Sequence, residues 1–179
     1  MQNVYVIAEA GVNHNGDLKL ARSLVDCAAD AGANAVKFQT FDATKLATLA
    51  APKANYQTRT TDAAESQLEM LRKLELPREW HWELQQRAHA RGIEFLSTAF
   101  DFDSLTFLEA LDMPFYKVPS GELTNGPLLW KFARTGRPLV VSTGMATLSE
   151  VELALAVIAH AINADAEPRS LAEVWQGWS

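Results

Sequence analysis

Cysteine is almost missing from this chain of 179 residues: Cys27 stands alone, which excludes an intrachain disulfide and a multi-thiolate metal site. In a helical pattern an isolated cysteine is expected to be a small core residue. Long apolar runs are missing too. None approaches the roughly 20 residues that cross a bilayer, and Met1-Gln2-Asn3-Val4 lacks the basic leader and apolar core of a signal peptide. No membrane partner and a cytoplasmic location are therefore expected. Positive charge is not clustered: 16 Lys and Arg stand against 22 Asp and Glu, for a net charge of −6. Without a basic stripe to displace counterions, nucleic acid is not an expected partner. Histidine is scarce. His81, His89 and His160 fall in helical patterns and read as surface or packing residues, which leaves only His14, in a loop, to face a site. One imidazole makes a poor metal site.

What is present suits one globular domain, with 48% hydrophobic and 21% charged residues. Apolar strand patterns cover about 4 to 10, 35 to 40, 93 to 98, 115 to 119 and 138 to 142, and the last three begin 22 or 23 residues apart. Helical spacing fills the intervals at 18–31, 65–74, 78–91, 102–111, 126–135 and 148–163. In the first helix Leu20, Leu24, Cys27 and Ala31 share a face that is expected to be buried. Gly32, Gly92 and Gly136 close three helices as C′ residues, and Thr147 with Glu150 forms a capping box. Strands too apolar for one wet face, alternating with helices, predict a parallel sheet covered by helices, its strands neighbours in sequence order. The segment from Phe41 to Glu65 breaks the rhythm. A connection of that length is often functional, and Lys45, Lys53, Tyr56, Gln57 and Arg59 on it are able to reach over a pocket.

The strands end in polar groups. Glu9 leads into the turn Asn13 to Gly16, Lys37 and Gln39 interrupt a run that should be buried, and Thr98 ends the third strand. Lys117, Ser120 and Glu122 end the fourth, and Ser142 and Thr143 the fifth. A buried strand tolerates a charge only where it meets a partner charge, a ligand or a pocket. Polar groups gathered at the C-terminal ends of parallel strands are the arrangement of a (β/α) barrel active site. The two lysines with the hydroxyls make a cationic, donor-rich cup suited to phosphate or carboxylate, and Glu9 and Glu122 add acceptors for sugar hydroxyls or proton transfer.

The segments IAEAGVNHNGD, AVKFQTF, SQLEMLRKLELP, GIEFLSTAFD, PFYKVPSGELTN and VVSTGMATLSE, spread in order over about residues 4 to 160, resemble the barrel domain of the N-acetylneuraminate (sialic acid) synthase family. The resemblance implies an α/β fold of the (β/α)8 TIM-barrel type, with about the first five βα units present in residues 1–165. It implies a transferase of carbohydrate biosynthesis that joins phosphoenolpyruvate to N-acetylmannosamine and releases phosphate. A divalent metal, manganese or magnesium, and a possible homodimer come with it. Residue by residue, Lys37 and Lys117 match the family's phosphoenolpyruvate-binding lysines, with Thr98, Ser120 and Ser142 assisting. Glu9 and Glu122 match acidic residues on the sugar and metal side, assigned catalytic roles, while Gln39 and Asn13 are assigned to substrate binding.

There is also a departure. The two metal-binding histidines of the family lie beyond its fifth βα unit, and residues 166–179 do not resemble the family or offer another apolar strand. No metal ligand set is expected in this chain, and the expectation is that these residues alone bind ligand without turnover. The same residues suit a sister synthase for a legionaminic or pseudaminic acid or a spore-coat polysaccharide, or a non-catalytic anion-binding remnant. A Schiff-base aldolase using Lys37 or Lys117 is the alternative outside the family.

Overall fold

In a computed structural model, which describes residues 4–47 and 66–176, two compact units divide the chain after Ser104. The first carries β1 (Ile7–Gly11), α1 (Leu18–Asp30), β2 (Ala35–Thr40), α2 (Ala43–Leu46), α3 (Gln67–Leu74), α4 (Arg78–Ala90) and β3 (Glu94–Ala99). Its three strands form a parallel sheet in the order β1-β2-β3. Alternation along β2 and β3 puts Val36, Phe38, Thr40, Phe95 and Ser97 on one face. Helices α1 and α4 cover that face, where Phe38 and Phe95 stack with ring centroids 5.8 Å apart.

The helix face that α1 buries is Ala21, Val25 and Ala28, while Leu20 and Cys27 are exposed. The expected row of Leu20, Leu24, Cys27 and Ala31 is therefore rotated by one residue, and Cys27 is not a core residue. Both rows satisfy a 3.6-residue period. The sheet face is already filled by two phenylalanines, so the row of smaller side chains is the one that lets the helix sit close. Along their exposed sides α1 and α4 are laced by ion pairs of Arg22 with Glu83, Arg87 with Asp26, and Arg91 with Asp26 and Asp30. Such surface pairs contribute about 0–1 kcal/mol each, so they set orientation more than stability.

Under α4 lies a buried polar chain. His81 Nδ1 lies 3.1 Å from the Pro77 carbonyl and Nε2 2.7 Å from Thr40 Oγ1, which is 2.6 Å from Ser97 Oγ. Burial pushes the His81 pKa down to about 4, so the ring is neutral. Nδ1–H then donates to Pro77, the Thr40 hydroxyl donates to Nε2, and the Ser97 hydroxyl donates to Thr40. One network thus ties α4 to β2 and β3.

The second unit continues α5 (Phe102–Glu109) and adds β4 (Tyr116–Val118), a 3₁₀ turn at Ser120–Glu122, α6 (Gly126–Arg134), β5 (Leu139–Val141), α7 (Leu148–Asn163) and α8 (Leu171–Gln176). β4 and β5 pair in parallel, with Lys117 opposite Val140. Asn125 caps α6, whose Leu128, Leu129 and Phe132 are buried, and Tyr116 meets Phe132 edge-on. Thr147 and Glu150 form the expected capping box. Residues 166–179 were expected to offer no further apolar strand; α8 forms there and buries Val174 next to α7.

Five strands and the helices between them lie where the periodicity places them, with β1 beginning three residues later than expected. The single five-stranded order is corrected. Neighbours in sequence pair in parallel within a three-stranded sheet, β1-β2-β3, in the first unit and a two-stranded sheet, β4-β5, in the second. β4 is only three residues long and runs into Pro119, which has no N–H to extend a ladder.

The His81 network yields a pH dependence. A histidine with an ordinary unfolded pKa near 6.5 and a folded value near 4 binds fewer protons when folded, so its contribution is complete above pH 6.5 and is lost as pH falls. Between pH 7 and 4 urea titrations are expected to show the parent chain losing about 3 kcal/mol more than His81→Phe. Parallel curves, or a His81 NMR titration centred near 6.5, would contradict the network.

Candidate functional site

In the first unit the site is built at the ends of β1, β2 and β3. The register places Glu9 opposite Lys37, Lys37 opposite Leu96, and Gln39 opposite Thr98. Glu9, Lys37, Gln39 and Thr98 therefore share the face opposite to that covered by α1 and α4. Lys37 is only 8% exposed, and its Nζ forms an ion pair with Glu9 Oε2. The Glu9 side chain is about half exposed, so the pair has one wet end and one dry end. The ammonium is compensated without a fully buried carboxylate, which lowers the desolvation cost.

The Thr98 hydroxyl is buried with no hydrogen-bond partner among the described residues. A buried hydroxyl left unsatisfied costs free energy unless a ligand or water fills its valence. Thr98 lies on the face that carries Lys37.

The β1–α1 loop departs from expectation. His14, the histidine expected to face the site, is fully buried and tilts over Phe38 at 6.3 Å. Its Nδ1 accepts the Gly16 N–H at 3.1 Å, and burial lowers its pKa, so the neutral ring carries its proton on Nε2. That Nε2 has no partner among the described residues. Asn13 is exposed, and its backbone N–H donates to the Ala10 carbonyl in the turn.

Asp101, not singled out by the sequence, is a buried hub. Its carboxylate accepts from the Asp42 N–H at 3.0 Å, the Ser104 N–H at 2.9 Å and the Ser104 hydroxyl at 2.6 Å. It thereby holds the segment that follows Lys37 and Gln39 against the start of α5. The available signal was an aspartate three residues before a serine at the end of an apolar strand. Lys45 on α2 pairs with Asp103 and lies 3.9 Å from Asp101. Lys53, Tyr56, Gln57 and Arg59 lie outside the described residues.

In the second unit Lys117 is half-buried and its Nζ donates to the Val118 carbonyl at 3.0 Å. Glu122 accepts from Asn125 Nδ2 at 2.8 Å, so the carboxylate is tied to the cap of α6. The Ser142 N–H donates to the Val118 carbonyl at 3.1 Å, which carries the β4–β5 ladder one residue further. Gly144 passes close to Ser120: a Cβ there would meet Ser120 Oγ at 3.5 Å. Lys117, Ser120, Glu122 and Ser142 thus sit together at the C-terminal ends of β4 and β5.

Among the described residues no group of three or more His, Cys, Asp or Glu side chains is placed to hold an ion. Nor is any helix among them long and apolar enough to cross a membrane.

Comparison with known proteins agrees with the arrangement of strands and helices. A N,N'-diacetyllegionaminic acid synthase from Campylobacter jejuni is 50% identical over 158 residues, 88% of this chain and 47% of that protein. The enzyme of the same name from Legionella pneumophila is also 50% identical, over 84% of this chain and 42% of its own length. The chain thus spans about half the length of these curated relatives. The crystal structure of an N-acetylneuraminic acid (sialic acid) synthetase from Leptospira borgpetersenii superposes with a TM-score of 0.76 at 31% identity, over 89% of this chain and 51% of that one. The α/β fold is therefore of the TIM-barrel-like kind found in sialic acid synthases, represented here by a partial set of parallel strands. The family model matches residues 24–167, and the chain belongs to the NeuB family.

Proposed function

We propose that this chain carries phosphoenolpyruvate-binding residues of a synthase that joins phosphoenolpyruvate to an N-acetylated amino sugar, giving a sialic-acid-type product and phosphate. The observation that supports it most is the buried Lys37 ammonium, ion-paired to a half-exposed Glu9 on the face that carries the unsatisfied Thr98 hydroxyl. A fixed cation next to a free donor suits a phosphate or carboxylate better than a neutral ligand.

In the proposed reaction the methylene carbon of phosphoenolpyruvate attacks the aldehyde carbon of the open-chain sugar, and the aldehyde oxygen takes up a proton. Water adds to the cationic central carbon and loses a proton, and the tetrahedral intermediate expels phosphate as its C–O bond breaks and the keto group forms. Lys37 and Thr98 in the first unit, and Lys117, Ser120 and Ser142 in the second, are assigned to the anionic oxygens. Glu9 and Glu122 are assigned to proton transfer and, with Gln39 and Asn13, to the sugar.

A second reading concerns the sugar. Identity of 50% to two diacetyllegionaminic acid synthases supports a diacetylated acceptor as the alternative to N-acetylmannosamine. Calorimetric titration of both sugars in the presence of phosphoenolpyruvate separates them. The tighter ligand is expected to be the diacetylated one, and preference for N-acetylmannosamine would reverse the order.

Lys37→Met should fold, since the Glu9 carboxylate it leaves unpaired is half exposed. It is expected to weaken phosphoenolpyruvate binding by about 1–3 kcal/mol, and Thr98→Val by about 1 kcal/mol. Lys45→Met, whose ammonium is engaged by Asp103, should leave binding unchanged. Equal affinities in the parent, Lys37→Met and Thr98→Val chains, measured by calorimetry, would refute the anion assignment.

A further inference from the structure

Gly11 ends β1 at an irregularity. The register runs Ile7 with Ala35, Ala8 with Val36 and Glu9 with Lys37, and then jumps so that Gly11 faces Phe38. Ala10, 3% exposed, is the extra residue of a β-bulge. Bulges re-aim side chains and often lie beside functional sites. At Gly11 the backbone takes φ +54°, in the left-handed region that residues with a Cβ rarely occupy.

The space around Gly11 is taken by functional side chains. A Cβ built there would lie 3.1 Å from Glu9 Oε1 and 3.5 Å from Gln39 Nε2. The other carboxylate oxygen of Glu9 is the one that pairs with Lys37. The Glu9 carboxylate therefore lies across the bare Cα of Gly11, with one oxygen toward the lysine and the other, like the Gln39 amide, in the space a side chain at Gly11 would take. The nearest atom to a new methyl group is the end of a flexible side chain, so Glu9, not the backbone, is what must yield.

We propose that Gly11 is a positioning residue, whose missing side chain and left-handed backbone let the Glu9 carboxylate lie against the Lys37 ammonium, with the Gln39 amide beside the same bare Cα. Any side chain at this position displaces Glu9 and loosens Lys37 without touching ligand. What the three side chains are used for rests on the function proposed above; the positioning itself does not.

The test is made on the ligand-free chain, with 15N-labelled lysine and the Lys37 ammonium signal assigned by its disappearance in Lys37→Arg. The parent is expected to show slow exchange of the ammonium protons, as an ion-paired, buried group should. In Gly11→Asn, which tolerates positive φ but carries a Cβ, exchange should accelerate several-fold with circular dichroism unchanged. Gly11→Ala should do the same with some added loss of stability. Glu9→Gln should match this acceleration, and adding Gly11→Asn to it should change exchange no further. Unchanged exchange in a folded Gly11→Asn chain would overturn the proposal, as would added acceleration in the Glu9→Gln background. Failure of both Gly11 variants to fold would overturn it as well, by making Gly11 a folding residue. Titrating phosphoenolpyruvate into the parent separates the two claims: an unshifted Lys37 signal would sink the anion-binding function and leave the role of Gly11 standing.

Discussion

A lysine inside an apolar β-strand sets the terms for everything around it. Transferring an ammonium group into a protein interior costs several kcal/mol unless a partner charge and hydrogen bonds compensate. Lys37 meets that requirement through Glu9, which the parallel register of β1 and β2 brings directly opposite. A slip of β2 by one residue would send Lys37 to the helix-covered face, toward Phe95, and turn Phe38 out of it. The bulge at Ala10, the left-handed Gly11 and the buried chain from His81 through Thr40 to Ser97 all act on this register or on the side chains it aligns.

The two faces of the three-stranded sheet divide the labour. On one, His81, Thr40 and Ser97 form a chain of hydrogen bonds that reaches the Pro77 carbonyl, while the Nε2 of His14, whose ring tilts over Phe38, has no partner among the described residues. On the other, valences remain open at Thr98, and the Glu9–Lys37 pair keeps one end in water. The internally bonded chain supports structure, and the half-exposed pair with the unpartnered Thr98 hydroxyl on its face is the feature on which the proposed anion site rests. Membership of the NeuB family, with relatives of about twice this length, fits such a face being one part of a larger site.

Much of the fold was legible because it rests on local rules. The 3.6-residue periodicity, the Thr147 and Glu150 box and the glycines after α1 and α4 depend on neighbours a few residues away, and they place the elements to within a few residues. Lys37 was legible as a residue that needs a partner charge, because a charge in an apolar run is costly. What was not legible depended on contacts distant in sequence. The buried face of α1 was decided by the volume of Phe38 and Phe95 beneath it. His14 went inward because its ring has an apolar neighbour in Phe38 and a backbone partner in Gly16. Asp101 looked like an ordinary turn aspartate, since its bond to the Asp42 N–H spans 59 residues. α8 was missed because Pro168 and Ser170 interrupt a short segment whose one buried side chain is Val174.

The central claim is that the face bearing Lys37 and Thr98 receives an anion. A crystal structure of the chain with phosphoenolpyruvate tests it most directly. The account predicts a phosphate or carboxylate oxygen within hydrogen-bond distance of both Lys37 Nζ and Thr98 Oγ1, with Glu9 still beside the lysine. A ligand bound elsewhere, with the Glu9–Lys37 pair closed and the Thr98 hydroxyl still unpartnered, would contradict it.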